Sequence, residues 1–171
     1  MNEPTFTHGI FTFTLRPAVE TDVAYILDTW LEGMASEYRD VRKSDYETQA
    51  RLHILRILER GPGVAIASPV DEPSVIWAYI VVEGQAIHWC YVRRSHRRLG
   101  IARRLVTTVL PNTPAPLAIS HITGVVRKIK QSHRDLFRFL PWLANPQGDE
   151  DGQPAGSEAE HEDRPSGDSG P

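Results

Sequence analysis

The sequence predicts a mixed α/β fold, in which a mostly antiparallel central sheet is flanked by helices and followed by a disordered acidic tail. Short apolar strand patterns alternate with amphipathic helix patterns along residues 11–142. Glu83-Gly84 is a hairpin signal between two strand patterns and favours antiparallel pairing there. After Leu143, large apolar residues vanish and small, acidic and proline residues dominate, which is typical of a segment that cannot bury enough surface to fold.

The first half of the chain begins with one strand and two helices. Residues 11–16 alternate apolar and polar side chains, which predicts a strand that Pro17 ends. Residues 20–34 place their apolar side chains on one helical face, with Thr21 or Glu20 near the cap. Ser44 begins a second helical pattern, which stops at Gly61-Pro62-Gly63.

Three strands and a helix are predicted next. Residues 64–68 form a short strand, and residues 75–83 are nearly all apolar, which predicts a strand buried on both faces. Residues 85–92 form the following strand, and an amphipathic helix pattern occupies residues 101–110.

The last predicted elements are shorter. Residues 117–120 read as a brief strand, and Thr123 caps a helix that runs through Ser132. Phe137, Phe139 and Trp142 indicate a last strand or a packing segment.

The composition predicts one globular domain, residues 1–147, and a disordered acidic tail, residues 148–171. The chain is 40% hydrophobic and 24% charged, as in ordinary soluble proteins, and no apolar run or N-terminal leader pattern indicates a membrane span or secretion. We therefore expect a cytoplasmic protein. The tail carries eight acidic residues and Arg164, a net charge of −7, so the preceding residues carry about +4. The single cysteine, Cys90, excludes an internal disulfide.

A turn rich in arginine lies between the strand at residues 85–92 and the helix that follows it. Its sequence is Arg97-Arg98-Leu99-Gly100-Ile101-Ala102, with Val92 five residues before Arg97. The first N–H groups of a helix have no intrahelical partners, and the helix dipole adds partial positive charge there. Gly100 lets a ligand approach the backbone closely, so the segment is suited to holding a pyrophosphate.

This spacing fits Arg/Gln-x-x-Gly-x-Gly/Ala and resembles the acyl-CoA-binding signature of the GNAT (Gcn5-related N-acetyltransferase) superfamily. The order of elements along residues 11–142 is also similar to that of a GNAT domain. One position departs from the family pattern, because Arg94 stands where a proline is usual; Ala102 replaces the last glycine, which the family tolerates. The resemblance implies an enzyme that transfers an acetyl group from acetyl-CoA directly to an amine.

The resemblance also implies where acetyl-CoA binds. The backbone N–H groups and arginines of the turn would hold the pyrophosphate, and backbone groups of the preceding strand would hold the pantetheine arm and the thioester carbonyl. The expected cofactor-binding residues are Cys90, Tyr91, Val92, Arg97, Arg98, Leu99, Gly100, Ile101, Ala102 and Arg103. No metal site is expected.

His88 is the expected general base, because histidine titrates near neutrality and this position looks like the strand histidine of the arylalkylamine N-acetyltransferase branch. Glu83 is the alternative. Strict alternation puts His88 on one face of its strand with Ala86, Cys90 and Val92, and Ile87, Trp89 and Tyr91 on the other. Cys90 is expected in the core rather than as a nucleophile.

The general acid of the family is often a tyrosine near the end of the domain, but no tyrosine follows Tyr91 here. His133 is the expected replacement, with Ser120 and His121 as alternatives. The amine acceptor can be a small molecule, a protein or an aminoacyl-tRNA, and Tyr38, Arg39, Asp40 and Arg42 are expected near it. A homodimer is compatible with the sequence, and no membrane partner is expected.

Two other functions fit the same residues. The chain can be a catalytically inactive GNAT-fold domain that binds CoA or a partner. It can also be a nucleic-acid-binding module that uses the arginine turn on phosphates. The negative overall charge and the absence of aromatic residues interleaved with the arginines argue against the second alternative.

Overall fold

The computed structural model describes residues 4–35, 42–132 and 135–144. Seven strands form one sheet whose spatial order follows the chain order. The strands are β1 (Thr5–His8), β2 (Phe11–Pro17), β3 (Gly63–Pro69), β4 (Ala78–Glu83), β5 (Ala86–Val92), β6 (Leu117–Ile119) and β7 (Phe137–Phe139). Neighbours from β1 to β5 are antiparallel, whereas β6 lies parallel to both β5 and β7. The predicted mixed, mostly antiparallel sheet is therefore confirmed.

Helices pack on both faces of this sheet. They are α1 (Val23–Ala35), α2 (Lys43–Glu59), α3 (Ile101–Val109) and α4 (Gly124–Ser132). Trp30 of α1 and Ile54 of α2 are buried in one core with Tyr79, whereas Leu105 of α3 is buried in a second core with Ile80. Because adjacent strand residues point to opposite faces, β4 is buried on both faces, as its apolar sequence predicts.

Some sequence-based expectations concern parts of the chain outside the described residues. These are the acidic tail from residue 148, His133, and the loop residues Tyr38, Arg39 and Asp40. Of the helices in the described segments, none is both long and apolar enough to cross a membrane.

The element bounds differ from the sequence-based ones in two places. Strand β1 was not predicted, because it has one half-buried apolar residue, Phe6, which pairs with Phe13 of β2. The strand predicted over residues 75–83 begins only at Ala78. A turn precedes it, in which the N–H of Val75 donates to the carbonyl of Glu72 at 2.9 Å.

A β-bulge at His88 changes which side chains of β5 share a face. Val81 of β4 pairs with Trp89, but the next residue, Val82, pairs with Ile87, so His88 is the extra residue. Ile87 consequently packs in the core beneath α3, and Trp89 packs in the core beneath α1 and α2. The prediction of strict alternation along β5 is therefore wrong at His88.

Strands β5 and β6 pair only briefly. Their register covers Ala86 with Ala118 and Ile87 with Ile119, and the N–H of Ser120 still donates to the carbonyl of Ile87 at 3.1 Å. Strand β5 continues for five further residues to Val92, and within the described segments no strand pairs with it on that side. The edge of β5 at residues 88–92 is therefore not paired with another strand of the described segments.

Candidate active site

The arginine turn has an unusual backbone. After β5, one turn of 3-10 helix spans Arg94–His96, and α3 begins at Ile101. Arg98 and Gly100 both have left-handed φ angles, 67° and 73°. Such a conformation costs a non-glycine residue about 1–2 kcal/mol. A strained residue beside a helix start often marks a place where the backbone serves a ligand.

The N–H groups of this turn are available for binding. The first hydrogen bond of α3 runs from the N–H of Arg104 to the carbonyl of Gly100, at 3.0 Å. Within the described residues, no acceptor is found for the N–H groups of residues 98–103. Of these residues Arg98, Gly100 and Arg103 are exposed, Leu99 and Ala102 are half-buried, and Ile101 is buried. A helix start with unpaired N–H groups is suited to binding an anion.

The side chains of Arg97, Leu99, Ile101 and Ala102 help to hold the turn in place. Arg97 donates from Nε to the carbonyl of Val92 at 3.1 Å, which ties the turn to the end of β5. Ile101 is buried in the core with Leu105, and Leu99 and Ala102 are half-buried. These three apolar residues can therefore offer mainly their backbone groups.

An aromatic cluster lies beside the turn and was not predicted. The ring of His96 stacks on that of Trp77, with centroids 4.3 Å apart, and Phe11 meets both rings edge to face. The three residues come from the turn, the segment before β4, and β2. No local sequence pattern reports this cluster, because the sheet alone brings its members together.

The expected pantetheine-binding segment lies in the part of β5 that does not pair with β6. Cys90 is exposed, so the expectation that it belongs to the core is wrong. Cys90 pairs with Ile80, whose side chain packs with α3, but the packing on this face stops short of Cys90. Tyr91 is half-buried and stacks on Tyr79, with ring centroids 5.4 Å apart, while Val92 is half-buried at the strand end.

His88 is part of a continuous hydrogen-bonded chain of side chains. Its Nε2 lies 3.0 Å from Oε2 of Glu83, and its Nδ1 lies 2.9 Å from Oγ of Ser120. Ser120 Oγ is in turn 2.7 Å from Nδ1 of His121. His121 Nε2 lies 3.1 Å from Nε2 of His53. We call these five residues the histidine chain.

Burial keeps the histidines of this chain neutral. His88 and Ser120 are 2% and 3% exposed. Burial lowers the pKa of His121 to about 4 and lowers the pKa values of His88 and His53 below the ordinary range. At the Glu83 end of the histidine chain, hydrogen bonds from Arg60 lower the pKa of the Glu83 carboxyl, which stays ionised.

A pocket of about 370 Å³ lies at the other end of the histidine chain. It is bounded by α1, α2 and the segment after β6, and its lining includes Met34, Asp45, Tyr46, Gln49, His53 and His121. The Tyr46 hydroxyl donates to the carbonyl of Leu31 at 2.7 Å, which holds α2 against α1. The pocket thus combines an apolar floor, one carboxylate and two imidazoles.

The structure brings together only some of the predicted catalytic residues. His88 and its alternative Glu83 are in direct contact, and Ser120 and His121, the alternatives to His133 as the acid, join the same chain. His53 was not predicted, because a lone histidine in a helical pattern carries no local signal. Its role emerges from a contact across 68 positions of sequence.

Comparisons with known proteins give weak similarities. No protein-family model matches the sequence, and no curated protein matches it. The structure is similar to apo-form YjaB from Escherichia coli, with 14% identity, a TM-score of 0.46, and 60% of this chain and 67% of that chain covered. It is also similar to a GCN5-related N-acetyltransferase (aminotransferase, class II) from Rhodopseudomonas palustris, with 12% identity, a TM-score of 0.49 and coverages of 77% and 84%. A possible acetyltransferase from Clostridium difficile 630 shows 14% identity, a TM-score of 0.46 and coverages of 71% and 87%.

Proposed function

We propose that this protein is a CoA-dependent N-acyltransferase of the GNAT type, which transfers an acetyl group from acetyl-CoA directly to an amine. The observation that carries the proposal is the set of N–H groups at residues 98–103 for which the described residues offer no acceptor, among the exposed residues Arg98, Gly100 and Arg103. They follow a strand whose pairing with its parallel neighbour stops at Ile87. From β2 onward, the order of elements is also the one that the resemblance implies.

The residues of the turn fit a diphosphate. The amides of residues 98–103 would donate to its oxygens, and the exposed guanidinium groups of Arg98 and Arg103 would add charge-assisted hydrogen bonds. The backbone groups of Tyr91 are directed at Tyr79 of β4, because Arg93 two residues later donates its N–H to the carbonyl of Trp77. Those of Cys90 and Val92 point to the other edge of β5, where the groups of Cys90 and the N–H of Val92 would hold the extended arm of the coenzyme. Bound in this way, acetyl-CoA supplies the acetyl group as a thioester.

The amine would enter the pocket between α1 and α2. Asp45 and Gln49 give this pocket polar groups that suit an ammonium ion. An ammonium must lose a proton before its nitrogen can attack a thioester. His88 is 2% exposed and both of its ring nitrogens are engaged, so it does not reach a bound amine directly.

Calorimetric titration with acetyl-CoA tests the cofactor site. Gly100→Val should raise the Kd at least tenfold, because the side chain would cover amides that face the diphosphate. Gly61→Val is the matched control: Gly61 has φ +72°, Gly100 has φ +73°, and a Cβ at either position meets no atom within 4 Å. Both variants should lose about 1–2 kcal/mol of unfolding free energy, but only Gly100→Val should lose affinity.

Three results separate the alternatives. Absence of acetyl-CoA binding by the unmodified protein, together with binding of single-stranded or duplex nucleic acid, would favour the nucleic-acid module. Binding of acetyl-CoA without acetyl transfer to any amine would favour the inactive GNAT-fold domain. An equal loss of affinity in Gly61→Val and Gly100→Val would place the cofactor elsewhere.

A further inference from the structure

The geometry points to a proton relay. We propose that the histidine chain, from His53 through His121, Ser120 and His88 to Glu83, carries the proton of an amine bound in the pocket to the opposite end of the chain. This inference rests on the proposed acyl transfer. It assigns His53 as the catalytic residue that contacts the amine and the other four as relay residues.

The histidine chain is continuous from His53 to Glu83. Its four contacts measure 3.1, 2.7, 2.9 and 3.0 Å, all within hydrogen-bonding distance. Each contact joins two side-chain atoms that can exchange a proton, and none of them needs a water molecule. The chain crosses the molecule from α2, through the segment after β6 and the bulge of β5, to the end of β4.

One arrangement of protons satisfies all four contacts. The Glu83 carboxylate only accepts, so His88 donates from Nε2 and, being neutral, accepts at Nδ1. Ser120 must then donate its single proton to His88 and accept from Nδ1 of His121. A neutral His121 accepts at Nε2, so His53 donates from Nε2 and keeps a lone pair on Nδ1. The chain therefore runs in one direction and leaves a basic nitrogen at its pocket end.

One end of the histidine chain lies at the pocket, and the other end is open to solvent, as a proton relay requires. His53 and His121 line the pocket, whereas the Glu83 side chain is 38% exposed. Arg60 contacts Glu83 at 2.7 Å and holds it ionised, so a proton that arrives there passes on to water. The bulge at His88 has a direct part in this path, because it lets one residue of β5 contact both Glu83 and Ser120.

The transfer balances in protons at every step. The N–H bond of the ammonium breaks as a bond forms to Nδ1 of His53, which passes its Nε2 proton to His121. His121 passes its Nδ1 proton to Ser120, whose own proton moves to Nδ1 of His88, and the Nε2 proton of His88 reaches Glu83. As the amide forms and the C–S bond breaks, the nitrogen loses a second proton, which goes to the leaving CoA thiolate. After the amide product leaves, Glu83 takes up a proton from water, and the same steps in reverse deliver the Nδ1 proton of His53 to water in the open pocket and restore the first order.

Other charged groups act on the chain from α2. Arg60 and Arg56 both lie near enough to lower the pKa of His53, and Asp45 is the acidic group that lines the same pocket. The positive charges of Arg60 and Arg56 disfavour the doubly protonated form of His53, so a proton that His53 accepts is passed on to His121.

Ser120→Ala interrupts the chain with the loss of one oxygen. With a panel of ethanolamine, spermidine, tryptamine and a peptide with a free N-terminus, kcat at pH 7 should fall about 100-fold. The KM for acetyl-CoA should not change, and the loss should shrink as the pH approaches the pKa of the amine. Ser120→Thr keeps the hydroxyl and should restore most of kcat. Ser120→Ala combined with His53→Gln should be no worse than either change alone.

Ser68→Ala is the matched control. Ser68 is buried like Ser120, but its hydroxyl has no hydrogen-bond partner within the described residues, so its removal breaks no chain of contacts. It should leave kcat unchanged. Wild-type kcat and pH profile in Ser120→Ala, with an active unmodified protein, would overturn the relay and leave the proposed function standing. An unmodified protein that binds no acetyl-CoA, or acetylates no amine, would overturn both.

Nitrogen-15 NMR of the histidines tests the proton order without turnover. At pH 7 we expect neutral rings, with the proton on Nε2 of His53 and His88 and on Nδ1 of His121. Ser120→Ala should disturb the shifts of His88 and His121, whereas Ser68→Ala should not. A different set of tautomers would contradict the relay.

Discussion

Gly33 of α1 lies directly against the indole ring of Trp89 on β5. A Cβ built on Gly33 would come within 2.5 Å of Cζ2 and 3.2 Å of Cη2 of that ring. Trp89 in turn stacks on Trp30, with ring centroids 5.5 Å apart, one helical turn before Gly33. The absence of a side chain at Gly33 therefore sets how closely α1 approaches the strand that carries His88.

Gly33→Ala should destabilise the protein, although alanine is the better helix former. Helix propensity alone would stabilise the variant by about 1 kcal/mol, but overpacking against the Trp89 ring should cost about 1–3 kcal/mol. Urea unfolding followed by tryptophan fluorescence measures the balance. Ala24→Gly on the exposed face of α1 is the control for propensity. A Gly33→Ala variant more stable than the unmodified protein would show that the ring moves aside freely.

The ion pair between Arg16 and Asp22 should make a large contribution to stability. Its shortest contact is 2.7 Å, both side chains are nearly buried, and Asp22 also accepts from the N–H of Val19. Asp22→Asn would leave Arg16 without its charge partner and should cost about 3 kcal/mol. Glu47→Gln, which removes the exposed pair with Lys43, should cost less than about 1 kcal/mol.

The same pair predicts a dependence on low pH. The Arg16 hydrogen bond lowers the pKa of Asp22 below its ordinary value of 3.8. The folded state therefore binds this proton less readily than the unfolded state, so the contribution is complete above pH 4 and is lost as the pH falls further. The stability difference between the unmodified protein and Asp22→Asn should shrink below pH 4. A difference that stays constant down to pH 2 would contradict this assignment.

The neutral histidines predict a second loss of stability, at milder acidity. An unfolded histidine binds a proton below pH 6.5, whereas burial lowers the pKa of His121 to about 4. Protonation therefore favours the unfolded state, and stability present above pH 6.5 should fall by up to about 1.4 kcal/mol per pH unit for each such histidine. Urea unfolding at several pH values between 7.5 and 4.5 measures the slope.

His121→Gln should flatten that slope, whatever it does to stability at pH 7.5. His8→Gln is the control, because His8 is exposed on β1. Identical slopes in the two variants would mean that His121 accepts a proton in the folded protein as easily as in the unfolded chain.

The left-handed backbone at Arg98 predicts an asymmetry between neighbouring arginines. Glycine adopts this conformation without strain, so Arg98→Gly should be more stable than Arg97→Gly by about 1–2 kcal/mol. Arg97 has φ −70° and donates to the carbonyl of Val92, and its replacement removes that hydrogen bond. Thermal unfolding of the two variants measures the difference. Equal stabilities would argue against strain at Arg98.

Local patterns in the sequence determined the element order, the mixed sheet and the position of the arginine turn. Periods of two and 3.6 residues, together with proline and glycine punctuation, report structure over a few residues, and α3 begins at Ile101 as its pattern indicates. Strand β1 was not predicted, because it buries too little apolar surface to produce an alternating pattern.

The tertiary structure alone decided what surrounds the predicted residues. The bulge that turns His88 towards Ser120, the exposure of Cys90 and the contact of His53 with His121 all depend on strands and helices far apart in sequence. The His53 and His121 positions are 68 residues apart, and His88 and Ser120 are 32 apart. A hydrogen bond depends on distance in space, and separations of that size leave no periodic trace in the chain.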